Sequence, residues 1–108
     1  MTEAHVKMVR SEVIRPGGEG LSSLAGFFRV FADETRIQIL CELSEGERRV
    51  LDIANSLGLS HSAVSHQLQL LRARRLVSFR REGKNVWYSI ADEHILTILR
   101  QGIRHVES

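Results

Sequence analysis

The sequence predicts a mainly α-helical domain with one small β-hairpin, and two observations carry that reading. Between Leu21 and Leu71, and again after Asp92, apolar residues recur at three- and four-residue steps, the repeat of helices that bury one face. Between Leu76 and Ile90 the pattern changes to β-branched and aromatic residues on either side of Glu82-Gly83-Lys84-Asn85, a turn signal. With 108 residues, 43% of them apolar, the chain has the size and composition of one folded domain. A domain this small buries a limited share of its surface, so a dimer interface would add stability.

The elements follow in order. Residues 1–20 hold the only proline, Pro16, beside Gly17, Gly18 and Gly20, and read as a mostly flexible arm ahead of a domain over 21–108. Leu24, Phe27, Phe28 and Phe31 form one stripe, which predicts a first helix over 21–31. Asp33 is placed to cap a second helix over 34–43, where Ile37, Leu40 and Cys41 share a face before Ser44-Glu45-Gly46-Glu47 interrupts it. The segment from Val50 to Ser60 carries a short amphipathic helix and then Gly58, a residue suited to a left-handed C-terminal position. Ser60 caps the next helix, over 61–74, and the short break between the two has the length of the turn in a helix-turn-helix. Leu76–Arg81 and Val86–Ile90 are the hairpin strands. Asp92 caps a last helix whose Ile95, Leu96, Ile98, Leu99, Ile103 and Val106 make it too apolar to face water alone, so it is expected to pack against another chain.

The formal charge is only +2, but a sequence pI of 9.2 and the basic residues gathered between Arg72 and Lys84 point to an acidic partner. Taken alone, that cluster fits a solvated face as well as it fits nucleic acid. The single cysteine, Cys41, rules out an intrachain disulfide or a thiolate cage, and a reducing cytoplasm is expected. The first thirty residues lack the charged start, apolar core and cleavage site of an export signal, and no apolar run approaches ~20 residues, so no membrane contact is expected.

The second helix of a helix-turn-helix enters the major groove, with its N-terminal residues at base edges. Here His61, Ser62, Ser65, His66 and Gln67 offer hydrogen-bonding groups to bases, whereas Arg72, Arg74, Arg75 and the hairpin's Arg80, Arg81 and Lys84 suit phosphates. The plainer alternative is a set of exposed polar helix residues, and the flanking turn and basic hairpin weigh against it. A hydrolase built on Ser62 or Ser65 with His66 is disfavoured, because adjacent helical residues project ~100° apart and no orienting carboxylate is evident. An enzyme is therefore not expected. A module binding acidic proteins through the hairpin ranks below DNA binding.

Three stretches together make a more specific signal: Phe31-Ala32-Asp33-Glu34-Thr35-Arg36-Ile37, Leu57 to Leu68, and Arg80-Arg81-Glu82-Gly83-Lys84-Asn85-Val86-Trp87-Tyr88. From about Leu24 to Val106 the chain resembles the ArsR/SmtB family of metal-responsive winged helix-turn-helix repressors. The resemblance implies a homodimer built on the first and last helices, double-stranded operator DNA with two half-sites as partner, and release of DNA when an inducer binds.

The last helix suggests where an inducer sits. His94 and His105 are eleven residues apart, which at ~100° per residue returns both to nearly one face. They are also ~16 Å apart along the axis, so a second helix must complete any site they share. In an antiparallel pair about a twofold axis, His94 of one copy meets His105 of the other, giving two equivalent sites that suit zinc. Asp92 could add a carboxylate, or act only as a cap. The resemblance implies that Asp92, His94 and His105 fall on three of the four last-helix metal positions. At the fourth, three residues past His105, stands Ser108, so Glu107, the terminal carboxylate of Ser108 or water is the expected donor. Cobalt and nickel use the same ligand types, and His5 in the arm is a further candidate for a higher-coordinate site. The family's other sensor places cysteines at the start of the third helix, where this chain has Arg49 and Leu51, so no soft-metal site is expected there. Cys41 reads as a buried, inert thiol, and a metal-independent or redox-responsive regulator is the alternative to metal sensing.

Overall fold

The computed structural model describes residues 15–108. Most of the expected flexible arm, with His5, lies outside the described residues. Five helices and two strands follow: α1 (Gly20–Phe31), α2 (Glu34–Leu43), α3 (Val50–Leu57), α4 (His61–Ala73), β1 (Val77–Glu82), β2 (Asn85–Ile90) and α5 (Glu93–Glu107). For α1, α2, α4 and the two strands, expected and observed bounds agree within about a residue, because the boundaries are set by local chemistry. Asp33 and Ser60 sit in extended backbone and accept from the amides of Arg36 (3.0 Å) and Ala63 (3.1 Å). Gly58 ends α3 at φ +68°, a left-handed conformation that a side chain would strain.

The hairpin pairs Val77 with Ile90 through Glu82 with Asn85, so only Gly83 and Lys84 form its tip. Gly83 takes φ +60°, which the tight turn requires. The strands thus reach one residue closer to the tip than the β-branched pattern indicated, since backbone pairing continues through the polar Glu82 and Asn85. The segment before α3 adds to this ribbon: Arg48 and Tyr88 exchange both backbone hydrogen bonds, at 3.0 and 2.8 Å.

The core lies where α2, α3 and α4 converge under the hairpin. Ile39, Leu40, Ile53, Val64, Leu68, Leu71 and Leu76 are fully buried, and Ile95 and Leu99 attach α5 to them. The other side of α5 and the outer face of α1 remain uncovered. Leu21, Leu24, Phe28, Ile103 and Val106 are all exposed, and an open groove of about 530 Å³ runs between Phe28, Phe31 and Ile37 on one side and Ile98, Gly102 and Ile103 on the other. Among the described residues, no helix is long and apolar enough to cross a membrane.

Candidate nucleic-acid interface and last-helix donors

The turn between α3 and α4 presents the start of α4 outward. His61, Ser62 and His66 are exposed and Ser65 is half-buried, so their polar groups share one side of the helix. Val64, Leu68 and Leu71 hold the opposite side in the core. Gln67 turns away from that group: its Oε1 accepts from Arg36 Nε at 2.9 Å, which ties α4 to α2 and commits the atom that sequence reasoning assigned to bases. The reason is helical geometry, since Gln67 stands ~100° around the axis from His66.

The basic residues divide in a similar way. Arg80 Nε and Nη2 donate to the two carboxylate oxygens of Glu47 at 2.8 and 3.0 Å, and Nη1 donates to Glu82 at 2.6 Å. These contacts raise the Arg80 pKa and pull that of Glu47 below its ordinary value, chiefly through their shared hydrogen bonds. Arg80, expected at a phosphate, is therefore clamped between two acids in this structure. Arg81 and Lys84 are exposed further toward the tip, and Arg72 stacks its guanidinium 4.0 Å from the Phe79 ring, leaving its N–H edge available. Arg49 forms a second clamp: its backbone amide and guanidinium donate to Asp52 at 3.0 to 3.1 Å, and the guanidinium lies 5.3 Å from the Trp87 ring centre. Those bonds lower the Asp52 pKa. Arg49 and Leu51 thus fill the start of α3 with an ion pair and an apolar side chain.

On α5, Asp92 caps the helix by accepting from the His94 amide at 2.8 Å, and the same carboxylate oxygen lies 3.1 Å from His94 Nδ1. Two donors bound ~2.0–2.2 Å from a tetrahedral zinc are themselves ~3.3 Å apart, so this pair has the spacing of one edge of such a site. His105 is exposed further along the helix, Glu107 borders the apolar groove, and the Ser108 hydroxyl donates to the Arg104 carbonyl. Among the described residues, no three His, Cys, Asp or Glu side chains of the single chain converge as a metal site. Cys41 is half-buried rather than fully buried as expected, because it lies at the edge of the core, and desolvation raises its thiol pKa.

Residues 33–78 match the model of the bacterial regulatory protein, arsR family. A transcriptional repressor SmtB homolog from Synechocystis sp. is 39% identical over 102 residues, covering 94% of this chain and 76% of that protein. The chain belongs to the ArsR/SmtB family. The fold comparison agrees, since the homodimeric winged helix-turn-helix DNA-binding domain of a possible ArsR-family transcriptional regulator from Mycobacterium bovis superposes with a TM-score of 0.78 at 30% identity, covering 89% and 91% of the two chains. The AntR antimony-specific transcriptional repressor superposes with a TM-score of 0.77 at 33% identity, covering 90% of each chain. In this ArsR/SmtB protein, α3 and α4 are therefore the helix-turn-helix and β1–β2 is the wing, a DNA-binding fold of transcriptional regulators rather than an enzyme.

Sequence reasoning missed the two arginine clamps at the wing's base. Glu47 and Arg80 are 33 residues apart, and no local periodicity links them. The signals available were local ones: Arg80 and Glu82 at a two-residue step on one side of a strand, and Arg49 and Asp52 at a three-residue step at the start of a helix.

Proposed function

We propose that this ArsR/SmtB protein is a homodimeric repressor whose metal-free form holds operator DNA and whose zinc-bound form lets it go. The observation that carries the proposal is the Asp92–His94 pair at the start of α5, with His105 further along the same helix and an uncovered apolar face beside them. A second copy laid antiparallel on that face covers the groove and brings its own His105 toward His94. Asp92, His94 and the partner copy's equivalent of His105 then supply one carboxylate and two neutral imidazoles, a donor set that zinc accepts and that cobalt or nickel also uses. Glu107 is the fourth donor in this reading. The metal contributes a rigid tie between the two last helices. At the reading head, His61, Ser62, Ser65 and His66 face bases, while Arg72, Arg81 and Lys84 face phosphates.

Fixing α5 against its copy restricts the separation of the two α4 helices, whereas operator DNA demands one spacing. A coupling of ~1–3 kcal/mol weakens operator binding by roughly 5- to 150-fold, and DNA must weaken metal binding by the same factor. The names of the SmtB homolog and of the antimony-specific repressor support a regulator of this kind. The test is a zinc titration of the complex between the protein and its upstream operator fragment, followed by fluorescence anisotropy. Release in the wild type, with the His94→Ala/His105→Ala double variant still bound, is expected. Release of both proteins, or of neither, contradicts the assignment.

A further inference from the structure

Away from the reading head, α1, α2 and the end of α4 enclose a concavity of about 200 Å³, lined by Arg29, Arg36 and Arg74 together with Gly26, Val30 and Leu70. Three arginines thus border one small space, and no Asp or Glu lines it. Among the described residues none of the three forms an ion pair, unlike Arg48, Arg49 and Arg80. The neighbouring acid, Asp33, is committed to the Arg36 backbone amide at 3.0 Å. Arg36 is held by its Nε on Gln67 Oε1 at 2.9 Å, which fixes the plane of its guanidinium and leaves both terminal nitrogens for another acceptor. The buried Gly26 leaves room for Arg74: a Cβ there would stand 3.1 Å from Arg74 Nη1.

Like charges converge at a cost unless an anion joins them, and guanidinium forks match tetrahedral oxyanions in geometry. The volume is that of several waters at ~30 Å³ each, room enough for a phosphoryl group. We propose that Arg29, Arg36 and Arg74 form an oxyanion site that takes a phosphoryl group, supplied either by the operator backbone or by phosphate free in solution. Because Gln67 links Arg36 to α4, occupation of the site braces the helix that carries the base-reading residues. Arg29 and Arg74 also complement the C-terminal ends of α1 and α4, a role that needs no ligand and that the test separates from binding.

Arg29→Gln and Arg74→Gln alter exposed side chains, and circular dichroism of each variant is expected to match the wild type. Inorganic phosphate is titrated onto the DNA-free protein at constant ionic strength, and operator affinity is measured against salt. A free-phosphate source predicts saturable binding that weakens about tenfold or more in either variant, the loss of one charge-assisted hydrogen bond. A DNA-backbone source predicts that the salt slope of operator binding falls by about two per dimer, one phosphate for each half-site. Either result sustains the site and names its source. No phosphate binding together with an unchanged slope overturns it, and so does an equal effect from Arg100→Gln, which lies on α5 outside the concavity. The zinc response plays no part in these readouts, so the two proposals stand or fall separately.

Discussion

The reading head and the α1–α5 face treat their side chains in opposite ways. Around α3, α4 and the wing, most groups find partners within the chain: Asp33, Ser60 and Gly58 complete helix ends, Arg36 holds Gln67, and Glu47 and Asp52 each hold an arginine. On the other face, Leu21, Phe28 and Val106 stand in solvent, and Asp92 and His94 contact one another with no third donor from the same chain among the described residues. A finished surface can act as a rigid reading head. An unfinished one has its structure decided by what binds it, which is where a regulator can be switched.

The largest expected effect breaks this contrast from the unfinished side. Phe28→Glu places a charge in the apolar groove, so the chain should become monomeric by sedimentation, and operator affinity should fall roughly 10²–10⁴-fold as two linked half-site contacts become one. A dimer that survives Phe28→Glu would show that this face is not the interface. The finished side answers differently. Leu68→Ala removes a fully buried side chain and should cost about 2–5 kcal/mol in chemical denaturation, with the surviving folded fraction keeping its zinc response. Asp33→Ala should cost only ~1 kcal/mol, the value of one helix cap.

The smallest effects sharpen the account of the wing. Glu47 and Asp52 have folded-state pKa values below their ordinary ones, because Arg80 and Arg49 hydrogen-bond the charged forms. Their contribution is therefore complete above the ordinary carboxylate range and is lost as pH falls through the lowered folded values. Trp87, near both Arg49 and Arg80, reports this: its fluorescence should stay constant through neutral pH and change only in strong acid. Glu47→Gln should produce the Arg80 part of that change at all pH values, and should steepen the salt dependence of DNA binding as Arg80 becomes available to a phosphate. An unchanged dependence would mean that Arg80 already contacts DNA.

How much was legible in the sequence follows from the range of each interaction. Helix limits were readable because a cap and its amide lie within three residues, as with Asp33 and Arg36 or Ser60 and Ala63. The hairpin was readable from Gly83 and the β-branched runs on either side of it. The surroundings of Arg80, Gln67 and the Arg29–Arg36–Arg74 concavity were not, because each depends on residues joined only by the tertiary fold, such as Arg36 and Gln67, 31 positions apart. For the last helix, the sequence placed His94 and His105 on one face through the helical period, and the cap geometry adds the closeness of Asp92 to His94 Nδ1.

The central claim is that each metal is held by two chains, and subunit exchange tests it most directly. His94→Ala and His105→Ala homodimers each lack one imidazole from both sites and should bind zinc weakly. Mixed and allowed to exchange, they form a heterodimer in which one site is wholly mutated and the other keeps both histidines. The account predicts that mixing restores tight binding of one zinc per heterodimer. If mixing restores nothing although exchange is complete, the two histidines do not meet across the dimer, and the cross-subunit site is wrong.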